Sequence, residues 1–491
     1  MDEAGPFRPR ARAPRGFSDR RGEALRAERR LLAAISGCFE SFGFEPLETG
    51  ALEYADALGK FLPDAERPNQ GVFALRDDDE QWMALRYDLT APLARYVAEN
   101  IETLPRPFRR YAFGPVWRNE KPGPGHGRQF LQCDADTVGS ALPEADAEII
   151  AMALAAVHAA GLAEAQVEVA INSRKLLEGL LASVGIVEEG RRLIVLRAVD
   201  KLDRLGAEGV AALLGRGRKD ESGAFTAGAE LATAAIDAVL AFLCAGHGDR
   251  ADTLTSLAGA IGDSSEGEAG LSELARIDEA LKHLGIGETR AFFEPSIVRG
   301  LEYYTGAVFE ARLTGAGLAD PEEAARYGSV GGGGRYDDLV ARFTGQGVPA
   351  TGFSFGVSRL AAALEAGGAA AHARAAAPVV VLSLEPSCLG DYFALAAELR
   401  AAGLPAEVYL GASGMRAQMK YADRRGAPAV VIVGEEERAA GTVTIKDLEL
   451  GRQRAAGVED NSAWRSERPG QTTVTREGWV AEVLSILRPR T

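Results

Sequence analysis

The sequence is poor in residues that cross-link a fold or anchor it in a membrane. Its 491 residues include four cysteines, Cys38, Cys133, Cys244 and Cys388. They lie too far apart in sequence for a zinc motif or a disulfide framework, so a reducing cytosol is the simplest compartment. No apolar run approaches the roughly 20 residues that a transmembrane helix needs. We therefore expect a cytoplasmic protein.

Positive charge is scarce too. The chain carries 55 Lys and Arg against 70 Asp and Glu, a net charge of −15, which argues against general coating of nucleic acid. Any RNA contact must then come from local basic patches and from shape. Hydrophobic residues make up 46% and charged residues 25%, as in ordinary globular proteins, and the length allows roughly two to four domains.

The N-terminal segment, MDEAGPFRPRARAPRGF, lacks the apolar stretch of a secretory signal. We expect residues 1–17 to form a flexible leader. A transit peptide for an organelle fits less well, because Asp2 and Glu3 are acidic.

The stretch Arg109–Gly139 predicts two strands joined by the loop KPGPGHG, whose Pro and Gly residues cannot continue either strand. Alternation along the second strand places Gln132, Asp134 and Asp136 on one face above an apolar underside. If Arg118 of the first strand lies on the same side, the sheet offers a polar floor for a small zwitterion and a polyphosphate. An ordinary hairpin with one solvated face remains the alternative.

The same residues carry a family resemblance. FGPVWRNEKPGPGHGRQFLQCDAD resembles the second signature of class II aminoacyl-tRNA synthetases in its histidyl form, and nearly the whole chain after the leader can be matched to that family. The resemblance implies an α+β catalytic domain with an antiparallel sheet, a largely helical insertion and a C-terminal α/β anticodon-binding domain. The implied boundaries are 18–171 and 286–366 for the catalytic core, 172–285 for the insertion, 367–377 for a linker and 378–491 for the anticodon-binding domain.

Before this stretch, the spacing of leucines and phenylalanines predicts an amphipathic helix over Glu23–Phe42, ended by Gly43. A short edge strand with Pro46 follows. This pair resembles the first class II signature, which forms the family's dimer interface, so we expect a homodimer. Further on, LRYDLTAPLARY resembles the histidyl enzymes' amino-acid-binding loop. Asp88 and Thr90 would bind the substrate there. Helix N-capping is a common alternative use of both residue types, and one residue can do both.

After Gly139 the pattern predicts helices, first over Pro143–Ala160 and then over Ser173–Val184. In the resembling family, the insertion leans on the acceptor arm of tRNA. The stretch SIVRGLEYYTGAVFEA then returns to strand-like composition and nearly matches a signature specific to the histidyl enzymes. It contains Arg299, Tyr303 and Tyr304, for which a surface salt bridge and core aromatic packing are the alternatives.

Four consecutive glycines in SVGGGGRYDDLV suit a backbone that a ligand approaches closely, although such a run is more often a flexible loop. Next, Ala350–Leu360 predicts a strand running into a helix and resembles the third class II signature. Arg359 would lie in the first helical turn, where backbone N–H groups also favour phosphate.

Beyond GGAAAHARAAA, buried-strand runs alternate with helices at Leu389–Ala402 and Met415–Arg425, which predicts a mostly parallel α/β domain. Arg416, Lys420 and Arg424 recur every four residues and form a basic stripe on one helix face. This stripe is either a solvated surface or, if the resemblance to the anticodon-binding domain of class II synthetases holds, a contact for tRNA.

The resemblance implies a two-step reaction. Histidine carboxylate attacks the α-phosphorus of ATP, pyrophosphate leaves, and the histidyl group then passes to the end of tRNA. The implied catalytic residues are Arg118, Arg299 and Arg359. The implied histidine-binding residues are Asp88, Thr90, Gln132, Asp136, Arg299, Tyr303 and Tyr304. The implied ATP-binding residues are Arg118, Glu120, Gly333 and Arg359, with Mg²⁺ bridging the phosphates on ligands that the sequence leaves open. The implied tRNA-binding residues are His126, Arg416, Lys420 and Arg424.

Three positions depart from the family pattern: Lys121 and His126 stand where Arg is common, and Asp136 is shorter than the usual Glu. Two rival hypotheses follow from the resemblance. One is a catalytically inactive relative that regulates histidine biosynthesis, which typically lacks the C-terminal domain and signature residues retained here. The other is a threonyl- or prolyl-type class II enzyme, which VRGLEYYTG and the absence of a zinc-type Cys/His set disfavour.

Overall fold

The computed structural model describes residues 9–61, 71–122, 127–219, 223, 225–246, 248–298, 304–314, 327–366, 377–450 and 470–487. The chain forms two compact units, 1–372 and 373–491. The described helices have no stretch with the length and apolar composition that a bilayer crossing requires.

The regular elements of the first unit are, in chain order, α1 (Gly22–Ser41), β1 (Glu45–Pro46), β2 (Leu52–Tyr54), β3 (Ala74–Arg76), β4 (Trp82–Leu85), α2 (Thr90–Glu99), β5 (Phe108–Trp117), β6 (Gln129–Val138), α3 (Pro143–Ala159), β7 (Val167–Ser173), α4 (Arg174–Ser183), α5 (Glu189–Val199), α6 (Leu202–Leu214), β8 (Gly217–Lys219), β9 (Phe225–Ala227), α7 (Thr233–Leu243), α8 (Arg250–Ala260), α9 (Ser265–His283), β10 (Ala291–Phe293), β11 (Ala307–Leu313), β12 (Ser329–Arg335), α10 (Ala341–Thr344), β13 (Ala350–Gly356) and α11 (Val357–Ala366).

An eight-stranded sheet in the order β1-β5-β6-β13-β12-β11-β7-β10 organises this unit. Its six central strands pair antiparallel, which confirms the predicted fold class, while β1 and β10 add parallel strands at the two edges. Pro46 lies in edge strand β1, as predicted, where its missing N–H disrupts no ladder. β5 and β6 are the predicted hairpin, whose loop residues 123–126 lie outside the described part of the chain.

Two features of this sheet differ from the sequence-based expectation. The glycine run forms strand β12 in the middle of the sheet. The neighbouring strand lies so close to it that side chains on some of these residues would not fit. A Cβ at Gly333 would lie 2.0 Å from the carbonyl oxygen of Gly352. The sequence pattern also missed β7, which pairs with β11 and β10. Since β7 ends at Ser173, the first two residues of the predicted insertion lie in the sheet.

Helices cover the apolar underside of the sheet. The predicted first helix is α1, which buries Leu31, Ile35 and Phe39 against Cys133 and Ala135 of β6 in one core cluster. The predicted helices α3 and α4 are present as well, and α4 to α9 extend the same apolar core. Burial of such faces is the main stabilising contribution.

The end of the predicted leader packs against the hairpin. The carbonyl oxygen of Gly16 accepts from the backbone N–H of Arg128 at 2.7 Å. The Phe17 ring meets the Phe73 ring edge-on at 5.7 Å. Residues 14–17 are therefore part of the structure, and the first eight residues lie outside its description.

The regular elements of the second unit are β14 (Val379–Val381), α12 (Leu389–Ala401), β15 (Ala406–Val408), α13 (Met415–Arg424), β16 (Ala429–Ile432), α14 (Glu435–Ala440), β17 (Thr442–Asp447), β18 (Gln471–Thr475) and α15 (Trp479–Leu487). They form a five-stranded sheet in the order β15-β14-β16-β17-β18. The α/β class is confirmed, but the sheet is mixed rather than mostly parallel, because β17 and β18 are antiparallel. The predicted linker falls almost entirely on residues 367–376, outside the described residues.

Candidate functional site

The upper face of the large sheet is polar, and strand register builds it in rows. Residues opposite one another in an antiparallel pair point to the same side of the sheet. The rows across β5, β6, β13, β12 and β11 are Arg110, Asp136, Gly352, Gly334 and Val308; Ala112, Asp134, Ser354, Gly332 and Glu310; and Gly114, Gln132 and Gly356. Glycines thus leave open space between the polar side chains.

A buried ion pair joins the first row to a neighbouring loop. Arg110 is fully buried, and its guanidinium lies 2.9 Å from one oxygen of Asp136. The same group donates to the carbonyl oxygen of Leu89 at 2.9 Å. The hydroxyl of Tyr336 donates to the other Asp136 oxygen. Burial raises the pKa of Asp136, and its contacts with Arg110 and Tyr336 oppose that rise.

The loop that Arg110 holds carries the predicted pair Asp88 and Thr90. One oxygen of Asp88 accepts from the backbone N–H groups of Thr90 at 3.1 Å and Ala91 at 2.9 Å. The helix-capping interpretation of Asp88 is therefore confirmed. A carboxylate can accept several hydrogen bonds, so helix capping does not exclude a role of Asp88 in substrate binding.

The second row contains a chain of three polar side chains. The amide Nε2 of Gln132 donates to the hydroxyl of Ser354 at 2.7 Å, and that hydroxyl donates to Asp134. Gln132 and Asp134 are both buried. Burial, followed by the charge of Asp136, raises the pKa of Asp134 to about 8. Oε1 of Gln132 has no hydrogen-bond partner among the described residues.

Arg118 lies on the predicted side of the hairpin. Gly114 pairs with Gln132 and Val116 with Phe130, so Arg118 continues the polar face. Its guanidinium lies 4.3 Å from the centre of the Tyr87 ring and 5.0 Å from that of Phe130. Stacking on aromatic faces leaves the edge of a guanidinium, with its N–H donors, directed at an anion.

The residues near Arg118 include Glu120, which is exposed and accepts from the Tyr87 hydroxyl at 3.4 Å. Arg359 lies in the first turn of α11, as predicted, and donates to the carbonyl oxygen of Ser329 at 2.8 Å. Gly333 lies opposite Phe353, a core residue, so it faces the apolar underside. The glycines of this run on the polar face are Gly332 and Gly334.

Tyr304 is the described member of the predicted tyrosine pair. A Cβ at Gly334 would come within 2.9 Å of the Tyr304 ring, so this glycine makes room for it. Arg299 and Tyr303 lie outside the described residues, as does His126. The segment just before Arg299 is held by the buried side chain of Asn172, which donates to the carbonyl oxygens of Pro295 at 3.0 Å and Ile297 at 2.9 Å.

In the second unit, the basic stripe is exposed. Arg416, Lys420 and Arg424 lie along one face of α13, while Gln418 and Ala422 on the opposite face are buried. Within 377–450 and 470–487, the ion pairs of the unit involve other residues. The stripe is therefore available to an anionic partner.

Sequence reasoning missed Arg110, Tyr336 and Ser354, and it counted Asp134 on the polar face without giving it a role. The position of Arg110 could have been predicted from the sequence, because the length of the hairpin loop places Arg110 opposite Asp136. No such local pattern indicates Tyr336 and Ser354, since they come from parts of the chain about two hundred positions away. The described residues contain no group of three or more His, Cys, Asp or Glu side chains that could hold a metal ion.

Comparison with known proteins gives the family of this chain. Residues 16–360 match the family model for histidyl-tRNA synthetase, and residues 378–466 match the model for an anticodon-binding domain. The chain is 64% identical over 482 residues to a histidine–tRNA ligase of Caulobacter vibrioides, covering 98% of this chain and 97% of the relative. A histidine–tRNA ligase of Brucella ovis is 54% identical over 483 residues, covering 97% and 96%.

A solved structure is similar as well. The crystal structure of histidyl-tRNA synthetase from Nostoc sp. PCC 7120 superposes with a TM-score of 0.73 at 27% identity, covering 98% of this chain and 100% of that one.

Proposed function

Because this chain belongs to the histidyl-tRNA synthetase family, we propose that the polar face of its large sheet is where histidine is activated. The chain is a histidine–tRNA ligase, which uses ATP to join histidine to tRNA, rather than a regulatory relative. The observation that carries the location of the site is Arg110. It contacts both Leu89 and Asp136, and so holds together the two segments to which we assign histidine binding.

The charge balance of this pocket supports histidine as its ligand. Asp136 and Asp88 both raise the pKa of Asp134, and Asp88 also raises that of Asp136. Arg110 and Arg86 are the buried cations that oppose these carboxylates. The three carboxylates outnumber these two cations, which favours a ligand that brings positive charge. Histidine brings an α-ammonium group and a polar imidazole.

We assign histidine contacts within this pocket as follows. Asp136 and Tyr304 bind the imidazole, and Tyr303 lines the pocket. Asp88 and Thr90, together with Gln132, hold the amino-acid end of the substrate. Buried polar partners of this kind discriminate strongly, because a ligand without the matching groups leaves them unpaired.

The arginines supply the phosphate contacts. Arg118 holds the α-phosphate, Arg359 the γ-phosphate, and Arg299 lies between the histidine carboxylate and the α-phosphate. Glu120 and the backbone near Gly333 border the nucleotide. A carboxylate oxygen of histidine bonds to the α-phosphorus while the bond to pyrophosphate breaks. Such chemistry depends on positioning and on cations that match charge developing in the transition state.

Mg²⁺ would accompany ATP and would supply positive charge at its phosphates. The donor set fits that role, because Mg²⁺ usually keeps its waters and takes only one or two carboxylates from a protein. Glu310 is a buried carboxylate on the same face, in the row of Asp134 and Ser354. One of its oxygens accepts from Arg312 at 2.9 Å, and the other oxygen would be such a ligand.

The parts that meet tRNA lie away from this pocket in sequence. We propose that the unit beginning near residue 378 reads the anticodon, with Arg416, Lys420 and Arg424 contacting phosphates. His126 in the hairpin loop meets the end of the tRNA, and the helical insertion, 172–285, leans on its acceptor arm. The exposure of the stripe on α13 supports the first of these assignments.

We also propose that two copies of the chain associate through α1 and β1. Phe113 lies on the underside of β5 and is 49% exposed, beside a cavity also lined by Leu25 and Leu32 of α1. Sedimentation of the chain and of a Phe113→Glu variant tests this, since the charge should favour the monomer. A cytoplasmic location accords with the four unpaired cysteines.

Arg299→Ala tests the catalytic assignment. A cation that faces both reacting groups acts mainly in the transition state, so ATP–pyrophosphate exchange should fall by about a hundredfold or more, while KM for histidine changes little. Exchange assayed with each amino acid serves as the reference for specificity. Near-normal exchange in the variant would remove Arg299 from the reaction.

A further inference from the structure

Gln132 is held in one orientation by its neighbours on the sheet. Its Nε2 donates to the Ser354 hydroxyl at 2.7 Å, and the hydroxyl donates onward to Asp134. Oε1 of Gln132 is buried and has no hydrogen-bond partner among the described residues. A buried acceptor without a partner costs free energy, and a ligand that donates to it recovers that loss.

The direction of this chain of hydrogen bonds follows from the chemistry of its end. Once Asp134 is ionised, its carboxylate only accepts, so the single proton of the Ser354 hydroxyl is then committed to Asp134. The hydroxyl oxygen must then accept from Gln132, and only the NH₂ side of the amide can donate. The carbonyl side of the amide is therefore left for a ligand.

Charged groups around Asp134 bear on its ionisation. Arg110 and Arg86 favour the ionised form, while Asp136 and Asp88 oppose it. A ligand that brings an ammonium group into this cluster favours the ionised form further. We call the hydrogen-bonded chain Gln132–Ser354–Asp134 the relay. Binding of such a ligand favours the ionised Asp134 that sets the direction of the relay.

We propose that Asp134 and Ser354 are positioning residues, which lock Gln132 so that its carbonyl oxygen receives the α-ammonium group of histidine. The proposal rests on the proposed function, in which Gln132 holds the amino-acid end of the substrate. It decides between the two groups at that end: Gln132 contacts the ammonium and leaves the carboxylate to the arginines.

The experiment compares Ser354→Ala, which removes the relay, with Ser354→Thr, which keeps the hydroxyl. The readouts are KM for histidine in ATP–pyrophosphate exchange and inhibition by two fragments. Histamine keeps the ammonium and lacks the carboxylate, whereas imidazolepropionate keeps the carboxylate and lacks the ammonium. Gln132→Ala and the double variant complete a mutant cycle, and circular dichroism checks folding of each protein.

For Ser354→Ala we expect KM for histidine and Ki for histamine to rise about tenfold, the size of one lost buried hydrogen bond. Ki for imidazolepropionate should stay constant, and Ser354→Thr should stay near the wild type. In the Gln132→Ala background, Ser354→Ala should have no further effect, because it acts through Gln132.

Two results would overturn the relay alone: equal weakening of both fragments, or additive effects of the two substitutions. If Gln132→Ala raises KM for histidine but Ser354→Ala does not, the relay also fails and the site assignment stands. If Gln132→Ala itself leaves KM for histidine unchanged, the proposed histidine contact fails and the relay falls with it.

Discussion

At the scale of single residues, Arg110 organises the site although it is fully buried. Burying a guanidinium is costly, and the ion pair with Asp136 and the contact with the Leu89 carbonyl offset that cost. Removal of either charge leaves the other buried and unpaired. Substitutions here therefore act on stability and on binding together, and a neutral isostere separates the two effects.

Asp136→Ala should raise KM for histidine steeply, and Asp136→Asn should do so with less loss of stability. A lost charged hydrogen bond is worth about 1.5–3 kcal/mol, so we expect a rise of about ten- to a hundredfold. KM for ATP should stay nearly constant in both variants. Exchange kinetics measure this, and an unchanged KM for histidine would place Asp136 outside the imidazole pocket.

The carboxyl group of Asp134 makes the stability of the fold depend on pH. Its pKa is about 8 in the ligand-free fold, against an ordinary value of 3.8. Between these values the folded chain holds one proton more than the unfolded chain, so this carboxyl lowers stability as pH rises from about 4 to about 8. Asp134→Asn removes that dependence.

The stability of Asp134→Asn relative to the wild type should therefore increase between pH 6 and pH 9. A pKa difference of one unit corresponds to about 1.4 kcal/mol, so a relative gain of about 1–3 kcal/mol is expected. Denaturant unfolding of both ligand-free proteins measures it. An equal difference at both pH values would mean that Asp134 is already ionised at pH 6.

At the scale of elements, β12 and β13 show why small residues matter on this sheet. Gly352 lies opposite both Asp136 and Gly334, and a Cβ on it would lie 1.9 Å from an Asp136 oxygen. The strand is thus shaped around a neighbouring carboxylate. Gly334 likewise leaves room for the ring of Tyr304.

Gly352→Ala should displace Asp136 and raise KM for histidine by about tenfold or more, with a stability loss of about 1–3 kcal/mol from overpacking. Gly287→Ala is the matched control, because a Cβ there meets no heavy atom within 4 Å. Exchange kinetics and thermal unfolding of both variants test this. Wild-type histidine kinetics in a folded Gly352→Ala protein would contradict the packing argument.

At the scale of the whole molecule, the chain has two compact units, and every proposed chemical contact lies in the first. The second carries an exposed basic stripe on α13 and no proposed catalytic group. Contacts with phosphates contribute affinity that depends strongly on salt and carry no chemistry. Activation of histidine and charging of tRNA should therefore be separable.

A chain ending at Ala377 should still catalyse histidine-dependent exchange and should charge tRNA poorly. Arg416→Glu combined with Lys420→Glu in the full chain should reproduce much of that defect without affecting exchange. Sedimentation must first establish that the truncated chain keeps the association state of the full one. A truncated protein of the same association state that charges tRNA normally would refute the anticodon-reading role.

The sequence by itself determined the local elements. Helix α1, the hairpin β5–β6, the edge position of Pro46 and the exposed stripe on α13 all follow from short periodic patterns and turn residues. The side of the hairpin on which Arg118 lies was also predictable, because alternation is a local property of a strand. The family followed from motifs of the same short range.

Only the tertiary structure decided which distant residues meet. The composition of β7 and of the glycine strand β12 does not predict a central strand. Both are recognised only by the strands they pair with, which lie far along the chain. The contacts of Tyr336 with Asp136 and of Ser354 with Asp134 depend on register between strands that are distant in sequence. Register is set by packing of the whole sheet, so no local pattern encodes it.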